Sequence, residues 1–306
     1  MELRKATRKK AKIRLGLSAV SGGGKTYSAI LIAKGLCGDL SKVAIIDTEN
    51  GSADLYAHLG DYNVLPLTAP FSPERYIQAI KACEKAGCDV IIIDSITHEW
   101  DGKGGCLEIV ESLGGKYQNW AQVTPRHQSF IDAITHSACH VITTVRRKQD
   151  YEMTKDGNKI KVEKAGLKEI TREGFEYELT INLNLDQNHN AKASKDRTGL
   201  FMGKPEFIPT EETGEMIANW CESGAEPEID ISDVPTKMER DLLRSIVSNT
   251  DLTDEEKTAA FTAIDTCTNY KQFEKIQHRL EARKLPIDQI QNPNQTDISN
   301  HLRSIA

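Results

Sequence analysis

The chain has 306 residues, 39% of them hydrophobic, which is enough for one large α/β domain with a sizeable core and an accessory unit. A formal net charge of −6 supplies no global basic field, so any nucleic-acid binding must use local patches. Seven cysteines without a C-x-x-C pair argue against a zinc site or a disulfide framework. The charged N-terminus lacks the apolar run of a secretory leader and no stretch approaches a membrane span, so reduced thiols in a cytoplasmic protein are expected.

Residues 1–14 carry Arg4, Lys5, Arg8, Lys9, Lys10, Lys12 and Arg14 against Glu2 alone, a basic arm that could contact nucleic acid. A strand is expected over 12–18, where Ile13, Leu15 and Leu17 alternate with Arg14 and Gly16. Ala-Val-Ser-Gly-Gly-Gly-Lys-Thr follows at 19–26, and a helix is expected over 25–37. Strand, glycine turn and helix are the context of a phosphate-binding loop. Gly22, Gly23 and Gly24 let consecutive N–H groups point at phosphate oxygens, and the helix adds its N-terminal dipole. Ser21, Gly22, Gly23, Gly24, Lys25, Thr26 and Tyr27 are therefore the nucleotide-binding candidates. Lys25 would reach the β- and γ-phosphates, and the Thr26 hydroxyl would ligate Mg²⁺. Ala19 stands where the usual pattern has its first glycine.

Strands are next expected over 42–47, 62–67, 89–94 and 140–146, with helices over 73–87 and 118–137. This alternation implies a mostly parallel sheet covered on both faces. The apolar run Val90–Ile93 ends in Asp94, whose carboxylate would emerge beside the phosphate loop and hold the Mg²⁺ shell. The run Val43–Ile46 ends in Asp47-Thr48-Glu49. A strand inserted between the loop strand and the Mg²⁺ strand and tipped with Glu49 could orient and deprotonate an attacking water, which suggests ATP hydrolysis rather than phosphoryl transfer to a small molecule. His98-Glu99 lacks the second histidine of a metalloprotease helix, so no zinc role follows. Trp100, Trp120 and Trp220 read as packing residues, since nothing basic clusters around them in the sequence.

From 147 to about 210 an antiparallel extension of the sheet is expected: a hairpin about Asp156-Gly157, then strands in 177–186 and 193–197. The hairpin region carries Arg146, Arg147, Lys148, Lys159 and Lys161, which could track phosphates, with acids diluting the signal. The expected domains are a core at 1–225, an acidic linker at 226–235, a helical unit at 236–285 opened by the capping box Thr236–Glu239, and a loose tail at 286–306.

Ile45-Ile46-Asp47-Thr48-Glu49, Ile92-Ile93-Asp94-Ser95-Ile96-Thr97, His140–Arg146 and Lys195-Asp196-Arg197-Thr198, taken with the loop, resemble the RecA-like recombinase core. Over 12–220 the chain looks like the core-only RecA-like single-strand-annealing ATPases of the Sak type found in phages. The resemblance implies a RecA-like P-loop NTPase fold using ATP and Mg²⁺, with Glu49 as catalytic base. It implies a γ-phosphate sensor around Arg146-Arg147-Lys148-Gln149, followed by DNA loops. It also implies that Lys195 and Arg197 reach a neighbour's ATP across a filament or ring interface. Single-stranded DNA is the implied partner, and a single-strand-binding protein is a candidate second one. A nucleotide-gated switch, loader or motor recruiting a partner through the C-terminal helices stays open beside it.

Overall fold

Apolar runs bounded by glycine, proline and acidic turns become strands here, and the amphipathic stretches between them become crossover helices. The computed structural model describes residues 7–156, 159–224, 235–250, 252–267 and 270–281. The strands are β1 (Arg14–Ala19), β2 (Val43–Asp47), β3 (Asn63–Pro66), β4 (Val90–Asp94), β5 (His140–Asp156), β6 (Lys159–Glu169), β7 (Ile181–Leu185) and β8 (Ala191–Asp196). The helices of the same unit are α1 (Lys25–Cys37), α2 (Pro73–Lys85), α3 (Thr97–Asp101), α4 (Cys106–Ser112), α5 (Trp120–Thr135), α6 (Phe175–Glu178) and α7 (Glu211–Glu222).

The sheet runs in the order β3-β2-β4-β5-β1-β7-β8, with β6 paired to β5 off that path. From β3 to β7 every neighbouring pair along that path is parallel, whereas β6 and β8 are antiparallel to their neighbours. Central parallel strands are buried on both faces, which explains why Val43–Ile46 and Val90–Ile93 are apolar throughout. Alternation then sorts them. Ile45, Ile92 and Ile142 pack with Ile30 and Ala33 of α1, while Ile46, Ile91 and Ile93 pack with Tyr76 and Ile80 of α2 and Phe130 of α5. Helix α7 lies against α1 at a glycine contact: a Cβ on Gly35 would come within 1.9 Å of the Glu211 carbonyl, and one on Gly214 within 2.1 Å of that of Ile32. Such backbone approach leaves no room for any other residue type.

Three expectations need correction. Strand β7 pairs with β1 in parallel, not antiparallel, because residues 171–180 carry the chain back across the sheet. The chain passes from Ile170, bonded to Arg146, to Thr180, bonded to Arg14 at the opposite edge. The part of 177–186 before Ile181 is not strand, since α6 ends at Glu178. Finally, β2 lies between the loop strand and the Asp94 strand only in the chain; in the sheet β5 separates β1 from β4, and β2 lies beyond β4.

The chain divides into two compact units, Met1–Glu226 and Pro227–Ala306. In the second, α8 (Lys237–Ser248), α9 (Asp254–Thr266) and α10 (Tyr270–Glu281) close around Leu243, Val247, Ile264, Cys267, Phe273 and Leu280. Thr236 with Glu239, and Thr253 with Glu256, form reciprocal capping boxes that satisfy the first free N–H groups of α8 and α9. Of the expected linker at 226–235 only Pro235 is among the described residues, and the expected tail at 286–306 lies outside them. Among the described residues no helix is long and apolar enough to cross a membrane.

Candidate nucleotide site

The C-terminal ends of β1, β2 and β4, together with β5 at Arg146, lie along one edge of the sheet, where open parallel sheets place their ligand crevice. A cavity of about 570 Å³ opens there, lined by Ser21, Gly22, Gly24, Lys25, Thr26, Tyr27, Glu49, Asp94 and Arg146 among others. The loop after β1 folds as its glycines require. Gly22 and Gly24 both adopt φ of 79°, a left-handed conformation that side chains resist, and a Cβ on Gly22 would meet only open space. Gly23 answers a different constraint, since a Cβ there would lie 2.6 Å from that of Ala19.

The charged side chains are held against partners that a phosphate or cation could replace. Lys25 Nζ donates to the carbonyls of Ala19 (3.3 Å) and Val20 (3.2 Å) in its own loop. Burial lowers its pKa, Arg146 adds to that, and Asp94 opposes it. Thr26 Oγ1 donates to Asp94 Oδ2 at 2.5 Å, and Thr144 Oγ1 donates to Asp94 Oδ1 at 2.5 Å. Burial raises the pKa of Asp94 against those two bonds and the pull of Lys25. A half-buried ammonium resting on neutral carbonyls, and a buried carboxylate touching a threonine hydroxyl at the mouth of a glycine cradle, fit a phosphate chain and its Mg²⁺. Thr26 and Asp94 would hold the cation, while Lys25 and the loop N–H groups would hold the phosphates.

Glu49 is aimed by a local device. Asp47 Oδ1 accepts the backbone N–H of Glu49 (2.6 Å), and Asn50 and Gly51 turn the chain at φ of 55° and 87°. The Glu49 side chain then crosses toward β4 and β5. Ser95 Oγ donates to its Oε1 at 3.0 Å, Arg146 Nε donates to Oε1 at 2.9 Å, and Arg146 Nη2 to Oε2. Thr48 Oγ1 accepts the Ser95 N–H at 2.9 Å and meets His98 Nδ1 at 2.8 Å, and Thr97 Oγ1 accepts the Arg146 N–H at 2.9 Å. Side-chain bonds therefore tie the tips of β2, β4 and β5 to one another.

Sequence reasoning missed Tyr56, which lines the cavity and packs edge-on against Tyr27 at 5.9 Å, and also His189. His189 sits at φ of 66° in the β7–β8 turn, where Asp186 Oδ1 accepts the N–H groups of Asn188 and Asn190. A Cβ on Gly24 would lie 2.6 Å from its Nδ1. The cluster Asp-Gln-Asn-His-Asn marks a turn, but nothing local shows that it meets the loop.

The remaining candidates scatter. Arg146 turns its guanidinium into the cavity rather than onto the hairpin with Arg147 and Lys148. Arg147 donates to the Leu167 carbonyl (2.8 Å), Lys148 is exposed, and the side chains of Lys159 and Lys161 lie outside those described. Lys195 donates to the carbonyls of Glu176 (2.9 Å) and Tyr177, and Arg197 to that of Tyr177 (3.0 Å). Both stand at the edge of the sheet opposite the loop, since Asp196 pairs with Ile181 at the start of β7. Of the N-terminal basic residues, Arg4 and Lys5 lie outside the described residues. Lys10 pairs with Glu222 at 2.8 Å, and the Arg8 guanidinium lies 4.3 Å over Trp220. Arg172 lies 5.7 Å over Trp120, so two of the tryptophans do have basic neighbours, each brought from far along the chain.

The family model of the AAA domain matches residues 11–211. No curated protein sequence matches the chain.

Proposed function

The chain belongs to the AAA-domain family of P-loop ATPases, and from that premise we propose that it hydrolyses ATP while engaged with single-stranded DNA, in the manner of the Sak-type annealing proteins it resembles. The observation that carries the DNA reading is the continuity of β5. The strand that presents Arg146 to the cavity runs on to Asp156 and pairs with β6 along a ribbon bearing Arg147, Lys148 and Lys168. A shift of Arg146 is thereby a shift of the ribbon's root, and basic ribbons track phosphates.

ATP with Mg²⁺, when bound, supplies the scissile phosphoanhydride and the charge neutralisation that cleavage needs. The chain supplies the rest. Loop N–H groups and the α1 N-terminus orient the phosphates, Lys25 leaves its carbonyls for them, and Glu49, released from Arg146, positions water and accepts its proton. Lys195 and Arg197 do not line their own chain's cavity. Their role in hydrolysis would be in trans, which makes the active species an oligomer, filament or ring.

Steady-state ATP hydrolysis with and without single-stranded DNA, at low and moderate salt and with Lys25→Ala as blank, tests the reading. Stimulation by DNA that weakens with salt supports it. Hydrolysis indifferent to DNA removes it in favour of a switch or loader, for which the independent three-helix unit of α8, α9 and α10 would be the recruiting surface. Mixing Arg197→Ala with Glu49→Gln subunits tests the trans role, since interfaces pairing intact halves should regain activity.

A further inference from the structure

Away from the nucleotide cavity, three helices each send one metal-ligating side chain to a common buried point. Glu99 of α3 is 1% exposed, Cys106 at the start of α4 is 0%, and His127 of α5 is 5%. The Cys106 thiol donates to Glu99 Oε1 at 3.1 Å and lies 4.0 Å from His127 Nδ1. His127 Nδ1 is 3.0 Å and 3.1 Å from the two Glu99 oxygens. One sulfur, one ring nitrogen and two carboxylate oxygens therefore face one another.

We propose that Glu99, Cys106 and His127 form a site for a divalent cation of the zinc class, separate from the Mg²⁺ position at Thr26 and Asp94. Metal–ligand bonds of about 2.0–2.3 Å hold the donors of different residues roughly 3.3–3.6 Å apart around a tetrahedral ion. The spacings present, 3.0 to 4.0 Å, bracket that range, so loading requires movements of only a few tenths of an ångström. The bidentate carboxylate supplies the fourth donor. A thiolate and an imidazole select zinc-like ions over Mg²⁺ or Ca²⁺, which take oxygen sets. Charge also balances. Carboxylate, thiolate and neutral imidazole sum to two negative charges, which a divalent cation cancels inside a low-dielectric pocket where net charge is costly. On binding, the Cys106 S–H bond breaks and its proton passes to solvent, the proton between His127 Nδ1 and Glu99 also leaves that position while the ring keeps its N–H at Nε2, the freed sulfur and Nδ1 lone pairs form the metal bonds, and no electron is transferred.

The missing signal in the sequence is now plain. Glu99 does have a histidine partner, but on α5 rather than at position 102, four residues after His98. The site would pin α3, which follows the Asp94 strand directly and whose Thr97 holds the Arg146 backbone, to α4 and α5. A reporter is built in: Trp100 lies edge-on to His127 at 5.8 Å and stacks on Trp120 at 5.4 Å.

The test is a titration of the chelator-stripped full chain with Co²⁺ in excess Mg²⁺, followed by displacement with Zn²⁺. The expected result is one equivalent bound, with thiolate-to-cobalt absorption in the near ultraviolet and quenched tryptophan fluorescence, both reversed by Zn²⁺. Cys106→Ser should abolish the near-ultraviolet absorption. Cys221→Ser, a buried cysteine of another cluster, should keep it, as should Lys25→Ala. A wild-type chain that gives no thiolate–cobalt absorption overturns the proposal whatever the variants do, and so does a Cys106→Ser chain that retains it. If Cys106→Ser does not fold, His127→Gln should weaken the stoichiometric binding at least about 10-fold; unchanged affinity there likewise overturns the site.

Discussion

Arg146 grips both carboxylate oxygens of Glu49, with Nε 2.9 Å from Oε1 and Nη2 on Oε2. A carboxylate engaged in a bidentate guanidinium pair has few lone pairs left for a water proton, so under the proposed mechanism Glu49 would act as a base only after Arg146 finds another anion. Both groups line the loop cavity, where the γ-phosphate of a bound ATP would be the competing anion. Glu49→Gln should therefore still bind ATP while its turnover falls about 10²–10⁴-fold. A nucleotide-binding titration set beside steady-state turnover checks this, and normal turnover would show that another acid is the base.

Lys25→Ala removes the half-buried ammonium that now rests on the Ala19 and Val20 carbonyls. Arg146, the other cation lining the cavity, enters from the β5 side and starts paired to Glu49, so it does not stand in for Lys25 and hydrolysis should fall by at least about 100-fold. The fold should survive, since the two loop carbonyls can turn to water. Turnover measured alongside thermal unfolding separates these effects, and full activity would remove the assignment of the loop.

His140 makes stability depend on pH. Its Nδ1 accepts the backbone N–H of Ile13 at 3.1 Å, which requires the neutral ring. Burial, with Lys12 and Arg14 nearby, holds its pKa at about 4, against the pull of Asp89 and Glu222. An unfolded histidine titrates near 6.5, so between those values the unfolded chain binds a proton that the folded chain does not. The stabilisation is complete above pH 6.5 and is lost as pH falls toward 4, by about 3 kcal/mol. Asp94 acts in the opposite sense, because its raised pKa relieves the fold at low pH. Urea unfolding of wild type and His140→Gln from pH 7.5 to 4.5 isolates the histidine: the difference between them should shrink as pH falls.

What was readable in the sequence was what depends on neighbours in the chain. Gly22 to Thr26 act within one turn, and the runs ending in Asp47 and Asp94 announce buried parallel strands by composition alone. Arg146 was visible as a strand end, but its direction depends on the pairing of β5 between β4 and β1. His189 reaches the loop only because β7 runs parallel to β1, which the alternation of Leu179 to Leu185 cannot encode. Glu99, Cys106 and His127 carry no shared spacing, since three separate helices bring them together.

Ala19 and Gly23 give the sharpest test of the loop. Ala19 occupies the place of the usual first glycine, and its Cβ fills the space that a side chain at 23 would need, 2.6 Å away. Gly23 is not in the left-handed region, so its constraint is steric rather than conformational. Gly23→Ala should strain the loop by about 1–3 kcal/mol and weaken nucleotide binding roughly 10- to 100-fold. Ala19→Gly added to it should restore most of the affinity, because the next contacts, the Val20 carbonyl at 3.3 Å and that of Asp186 at 3.5 Å, are tolerable. Gly24→Ala should not be rescued in this way, since Gly24 combines a φ of 79° with His189 at 2.6 Å. Nucleotide affinities of Gly23→Ala and Gly24→Ala, each with and without Ala19→Gly, decide it, and an Ala19→Gly/Gly23→Ala chain no better than Gly23→Ala alone would mean that Ala19 does not set the shape of the loop.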